Sequence, residues 1–176
     1  MEQEKITSDL LETLQGWCGF KKFNIIYDTD IDPINLSLIG NLVLHRSHIY
    51  YVIIDKAGNV FGCYNKGSVR ELCLSVDDPS HFVFSLKNTM SPLTKPKQFF
   101  TIKNNHRCFY MPNSDEEYSL FRIGFKGGIR IGKPNTFNSY CYNIQNTYPE
   151  LKDSTLLGLS GQQFSVERIL LIQISE

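Results

Sequence analysis

From residue 22 onward, short apolar runs alternate with breaks rich in Gly, Pro, Asn and Asp, the pattern of many short strands joined by turns. The strongest segment runs from Ile49 to Tyr64. Residues 49–54 are apolar on both alternating faces, so this strand should be covered on both sides. Asp55-Lys56-Ala57-Gly58-Asn59 breaks the run, with Gly58 supplying a positive φ and Asn59 able to tolerate one. Val60, Phe61 and Tyr64 resume strand chemistry, and Gly62 inside them signals a bulge or a close backbone approach.

Leu10, Leu11, Leu14 and Trp17 recur at helical spacing. Ser8 or Asp9 is placed to cap that helix, with Glu12 completing a capping box, and Gly16 to stop it. Strands are expected at 23–27, 81–86, 98–103, 108–111, 120–125 and 129–132, with Thr136-Phe137 opening another. Asn104-Asn105 and the acidic stretch 112–117 read as turns, and 66–79 has no clear pattern. Asp32 as N-cap and Pro33 at the first turn predict a brief helix over 34–39, ended by Gly40. Residues 143–163 read as loop with a helical turn or two. The last strand, 164–174, is wholly apolar at 169–172 and should be central. The expectation is one mainly β domain (α+β) over 1–176: two antiparallel sheets packed as a sandwich, capped by a few short helices. Phe61, Phe84, Phe137 and Phe164 are expected in its core.

Composition adds constraints. Eighteen basic and eighteen acidic residues cancel, against general nucleic-acid or membrane-surface binding. A local basic cluster remains at Lys87, Lys95, Lys97, Lys103, His106 and Arg107. The five cysteines form no Cys-x-x-Cys pair and sit mostly in hydrophobic runs, as buried free thiols of a reducing compartment do. With no secretory signal and no apolar run long enough to span a bilayer, the cytoplasm or nucleus is expected, without membrane insertion.

No stretch reads as a catalytic loop, and no metal or other cofactor is implied. Asp28-Thr29-Asp30-Ile31-Asp32 alternates acids but lacks the mid-loop Gly and distal Glu of a calcium loop. Phe125-Lys126-Gly127-Gly128-Ile129-Arg130 is Gly-rich and basic, yet lacks a P-loop ending and leads into a strand. His106 and Cys108 share a face if extended, which keeps a hydrolase with a Cys/His or Ser/His site as a rival. His45 and His48 read as surface residues. Cys108, following His106-Arg107, is the first candidate for a redox-sensing thiol, which would need exposure and a lowered pKa.

Several segments, in order, resemble the TLDc domain of eukaryotic oxidation-resistance and nuclear-receptor-coactivator proteins. These are Ile26-Tyr27-Asp28-Thr29, the hairpin from Ile53 to Gly62 with Asp55, Gly58 and Phe61, and Phe82-Val83-Phe84-Ser85-Leu86. Ile123-Gly124-Phe125-Lys126-Gly127-Gly128, Asn135-Thr136-Phe137-Asn138 and Phe164-Ser165-Val166 complete the set. The resemblance covers roughly 8–174 and implies a two-sheet sandwich protecting against oxidative stress without an established reaction. It also implies a protein partner among subunits of the vacuolar proton-pumping ATPase. A DNA-associated regulator of oxidative-stress genes is the other rival. The family's closing strand carries an acid and then a large aromatic, where this chain has Leu170 and Ile172. Any role tied to that acid is therefore not carried over. The chain reads as a divergent, stand-alone member, without the LysM or GTPase-activating modules found elsewhere.

Overall fold

A computed structural model describes residues 2–92, 94–102, 107–113 and 119–176, with side chains from Ser8 onward. Helix α1 (Glu2–Cys18) and strand β1 (Lys22–Asp28) lead to helix α2 (Leu36–Val43). Strands β2 (Ile49–Asp55), β3 (Val60–Asn65), β4 (Ser75–Asp77), β5 (Phe82–Lys87) and β6 (Lys97–Phe100) follow. Then come β7 (Arg107–Tyr110), β8 (Ser119–Gly124), β9 (Gly128–Gly132) and β10 (Ser139–Tyr142). Two short 3-10 turns, Ile144–Asn146 and Ser154–Leu157, precede β11 (Gln163–Phe164) and β12 (Val166–Ser175). The strands form two six-stranded sheets, ordered β1-β12-β2-β3-β5-β6 and β11-β10-β9-β8-β7-β4, with every pairing antiparallel. This is the β-sandwich with short helices that the strand pattern predicts.

The first sheet is buried on both faces, as the apolar run in β2 requires. Tyr51, Ile53, Phe61, Ile169 and Leu171 point between the sheets; there the Tyr51 ring lies 4.4 Å from Phe109 and 5.4 Å from Phe121. The alternate residues Tyr50, Val52, Phe84, Leu170 and Ile172 point outward against Leu10 and Leu14 of α1, with Trp17 5.6 Å from Phe84. Each helix leucine so buried contributes about 1.5–3 kcal/mol, which holds α1 to the sheet. β12 lies between β1 and β2, the interior place its apolar stretch predicts.

Gly62 allows β3 to pass close to β2, since a Cβ there would run into the carbonyl oxygen of Tyr51. Gly58 takes φ +83° in the hairpin turn, whereas Asn59 keeps a negative φ and is used for its side chain. Phe84 and Phe61 are fully buried, Ser85 is buried and Leu86 partly so; Phe164 is buried at a sheet edge, its ring 5.6 Å from Phe61.

Three local expectations are corrected. Helix α1 extends back to Glu2, so Ser8 and Asp9 lie inside it; it passes Gly16 and stops at Gly19, whose φ is +72° and whose N–H bonds the Gln15 carbonyl. Helix α2 spans Leu36–Val43 and is capped by Asn35, whose side chain accepts from the Leu38 N–H at 3.2 Å. Asp32 is spent instead on the Asp28 N–H at 2.9 Å, and Gly40 lies within the helix. Phe137 is 74% exposed rather than core. Thr136 closes a turn by donating to the Lys133 carbonyl, Asn135 adopts φ +62°, and the ladder begins only at Ser139 opposite Phe164. The turns at 104–105 and 114–117 lie outside the described residues.

Candidate functional site

One end of the sandwich is built by three segments fastened to the start of β12. The first is the turn after β1. Thr29 exchanges two bonds with Ile169, its N–H to the carbonyl at 3.1 Å and its hydroxyl accepting from the Ile169 N–H at 2.9 Å. Arg168 donates to both carboxylate oxygens of Asp28, at 2.9 and 2.6 Å, and its Nε lies 3.0 Å from Asp30. Burial acts to raise the Asp28 pKa, but the hydrogen bonds and charge of Arg168 outweigh it and hold the carboxyl below its usual range. The second segment is the β9–β10 turn, where the Asn135 N–H bonds the Val166 carbonyl at 2.8 Å. The third is the β2–β3 hairpin tip, where the Lys56 N–H bonds the Ser165 carbonyl at 3.0 Å.

That hairpin tip is made rigid by Asn59. Its amide donates to Asp55 at 2.8 Å and to the Gly158 carbonyl at 3.0 Å, while its oxygen accepts from the Thr89 N–H and hydroxyl at 2.8 and 2.7 Å. The amide thus uses its full hydrogen-bonding capacity in a buried setting. Asp55 also accepts from the Asn59 N–H at 2.9 Å. Asp55 and Gly58, carried by the motif resemblance, therefore build the base of this end.

Above the base stand apolar side chains that the fold leaves in water. Ile31 is 82% exposed and Phe137 74%, the two most exposed large hydrophobics among the described residues, with Ile34 at 39% beside them. A shallow cleft of about 300 Å³ between α2 and the β9–β10 turn has a mixed lining of Ile34, Leu36 and Leu120 with Asn35, Ser37, Ser119 and Lys133. Exposed apolar side chains on a hydrogen-bonded base, with the exposed cations Lys56 and Lys133 at the same end, suit contact with another surface.

The other sequence candidates fall elsewhere. Gly124, Gly127 and Gly128 form the tight β8–β9 corner at the opposite end of β9, and a Cβ on Gly127 would overlap the Asn143 carbonyl. Thr136 and Phe137 lie on the rim. Cys108 is the clearest correction: it is fully buried, its thiol donates to the Val76 carbonyl at 3.6 Å, and burial together with the nearby Asp78 raises its pKa. It has neither the exposure nor the lowered pKa of a sensor, because it faces the interior from β7 while Arg107 beside it is exposed. Cys63 and Cys141 are buried as well, and burial pushes the Cys141 thiol up to about 12. Cys18 and Cys73 are half-buried, and none of the five cysteines is in a disulfide.

His106 lies outside the described residues, with Lys103. Of the remaining basic cluster, Lys97 pairs with Glu150 at 3.6 Å and Arg107 lies over the Phe125 ring at 5.1 Å. His45 is exposed, whereas half-buried His48 bonds the Tyr64 hydroxyl at 2.8 Å. Among the described residues, a cavity of about 600 Å³ near β4, lined by Ser68, Arg70, Glu71, Leu74 and Asp77 among others, has no His or Cys in its lining. Among the described residues no three His, Cys, Asp or Glu gather as a metal site, and no helix is long and apolar enough to cross a membrane.

Sequence reasoning missed a buried polar cluster. His81 Nδ1 lies 2.7 Å from Asn65 Oδ1, and Nε2 lies 2.6 Å from the Tyr148 hydroxyl. Asn65 Oδ1 can only accept, so Nδ1 carries the proton and Tyr148 donates to Nε2. Burial pushes the His81 pKa down to about 3. No local signal marks it, since its partners lie 16 and 67 residues away.

The family model of the TLDc domain matches residues 2–169 of this chain. The chain belongs to the TLDc-domain family. No curated protein matches it. Within the TLDc match lie the whole hairpin, the β8–β9 corner and all three segments of the rim, while Leu170 and Ile172 fall just outside it.

Proposed function

We propose that this TLDc chain is a non-enzymatic docking protein of oxidative-stress defence. In this reading it binds subunits of the vacuolar proton-pumping ATPase through the Ile31–Phe137 rim. The observation that carries the reading is Phe137: a large aromatic, 74% exposed, on a turn pinned to β12 by the Asn135–Val166 bond. An aromatic held rigidly in water gains most when a partner covers it, and such residues dominate interface energetics. Five cysteines outside any disulfide agree with work in a reducing compartment, the cytosol or nucleus.

The hydrolase rival has less support, because His48 and His81 each bond a tyrosine hydroxyl rather than a cysteine or serine. The DNA-regulator rival is weakened by a net charge of zero, since a basic excess supplies most of the affinity for duplex. The test is binding of the immobilised chain to purified pump. Phe137→Ala combined with Ile31→Ala should weaken binding at least about tenfold, as loss of an interface hot spot does. Unfolding should change by no more than about 0.5 kcal/mol, because both side chains are solvated. Equal binding by the wild type and the double variant removes the rim from the reading; no binding at all removes the pump.

A further inference from the structure

We infer that the free edge of β1 pairs antiparallel with β1 of a second copy of this chain, giving a weak dimer with a two-fold axis. β1 is an outermost strand, hydrogen-bonded to β12 on one side only. At seven residues it is longer than the other outermost strands β6, β4 and β11. No described residue supplies a backbone bond to the outward groups of residues 22–27. Such a row of unpaired N–H and C=O groups is a template for another strand. Ile25 on it is 44% exposed, and Lys21, Lys22 and Asn24 are exposed with it.

The order of charges selects the occupant. The segment reads basic at Lys21-Lys22, apolar at Phe23, Ile25, Ile26 and Tyr27, and acidic at Asp28, Asp30 and Asp32. An antiparallel partner with the same sequence brings the basic start of each copy to the acidic turn of the other. A two-fold interface requires this self-complementarity, and opposite charges across a strand pair stabilise it. Centred on Ile25, the pairing sets Ile25 against Ile25 and Phe23 against Tyr27. Lys22 then approaches the turn where Asp30, bridged to Arg168, keeps 45% of its side chain exposed. The extra residue Ile26, at the register shift between Ile25 and Tyr27, confines regular pairing to a few residues on each copy. One strand pair buries less than a standard interface, so micromolar affinity is expected. The inference stands whether or not the rim binds a pump.

The test is sedimentation of the purified chain from about 1 to about 300 µM, a range that brackets micromolar association. Amide exchange at residues 22–25 is followed over the same range. The expected result is a mass that doubles with concentration, a dimer weakened by salt, and slower exchange along β1 at high concentration. Ile25→Lys places two cations face to face and should raise the Kd at least about tenfold, whereas Ile25→Val should keep the dimer. A single monomer boundary throughout, a dimer that survives Ile25→Lys, or β1 exchange independent of concentration overturns the inference. Exchange in the unaltered chain keeps the test decisive even if Ile25→Lys fails to fold.

Discussion

Replacing His81 with Phe should remove a specific part of the protein's acid sensitivity. In the fold His81 is neutral and wedged between Asn65 and Tyr148, its pKa pushed down to about 3 by burial. In the unfolded chain its pKa returns to about 6.5. Between those values the unfolded state binds the extra proton, so stability rises with pH there. The contribution is complete above pH 6.5 and is lost as pH falls towards 3. At up to 1.36 kcal/mol per pH unit, lowering pH from 7 to 5 should cost about 2 kcal/mol from this residue alone. The pKa of His48 is also lowered, chiefly by burial, so it adds a loss of the same sign that the variant retains. Urea unfolding of wild type and His81→Phe at pH 7 and pH 5 isolates the His81 share. At pH 7 the variant should be less stable by about 1–3 kcal/mol for each partner left unpaired, Tyr148 and Asn65. Between pH 7 and 5 it should lose about 2 kcal/mol less than the wild type. If both proteins lose the same amount, His81 is not a buried neutral histidine and the cluster is misread.

Two further outcomes follow from buried groups. Asn59→Ala removes four side-chain hydrogen bonds and leaves Asp55, Thr89 and the Gly158 carbonyl short of partners. It should cost about 3–5 kcal/mol in denaturant unfolding and loosen the hairpin tip; a loss under about 1 kcal/mol would show that water replaces the amide freely. For the thiols, iodoacetamide followed by mass spectrometry should label Cys18 and Cys73 first in the native protein, while Cys63, Cys108 and Cys141 react only on unfolding. Cys108 labelling as fast as Cys18 would restore the sensor reading.

Much of the fold was legible because its signals are local. The two-faced apolar run of β2 predicts a strand covered on both sides, and the outer layer under α1 fulfils it. Boundaries failed where two residues competed for one role. Asp32 and Asn35 could each cap α2, and the choice fell to Asn35 because Asp32 is held by the Asp28 N–H, a contact set by the turn. Ser8 and Asp9 look like caps, but Glu2, Gln3, Glu4 and Lys5 carry the helix backward through good helix formers. Of the candidate site, the hairpin motif was legible and the rim was not. Phe137 looks like strand chemistry until Asn135 takes a left-handed turn, and the His81 cluster depends on partners far apart in the chain.

The closing strand serves two packing layers at once. Along β12, Ile169 and Leu171 face the space between the sheets, whereas Leu170 and Ile172 face α1. A carboxylate at 170 would lie among Leu10, Leu14, Tyr50 and Val52, where burying a charge without a partner costs several kcal/mol. The apolar pair and the leucine face of α1 are therefore two halves of one packing solution. The TLDc match ends at residue 169, so Leu170 and Ile172 lie just beyond it. The match takes in α1, both faces of the first sheet up to Ile169 and the hairpin base beneath the rim. In the docking reading proposed above, the contact surface lies on the loops held by Asp55, Asn59 and Arg168, while the helix-covered face is spent on packing.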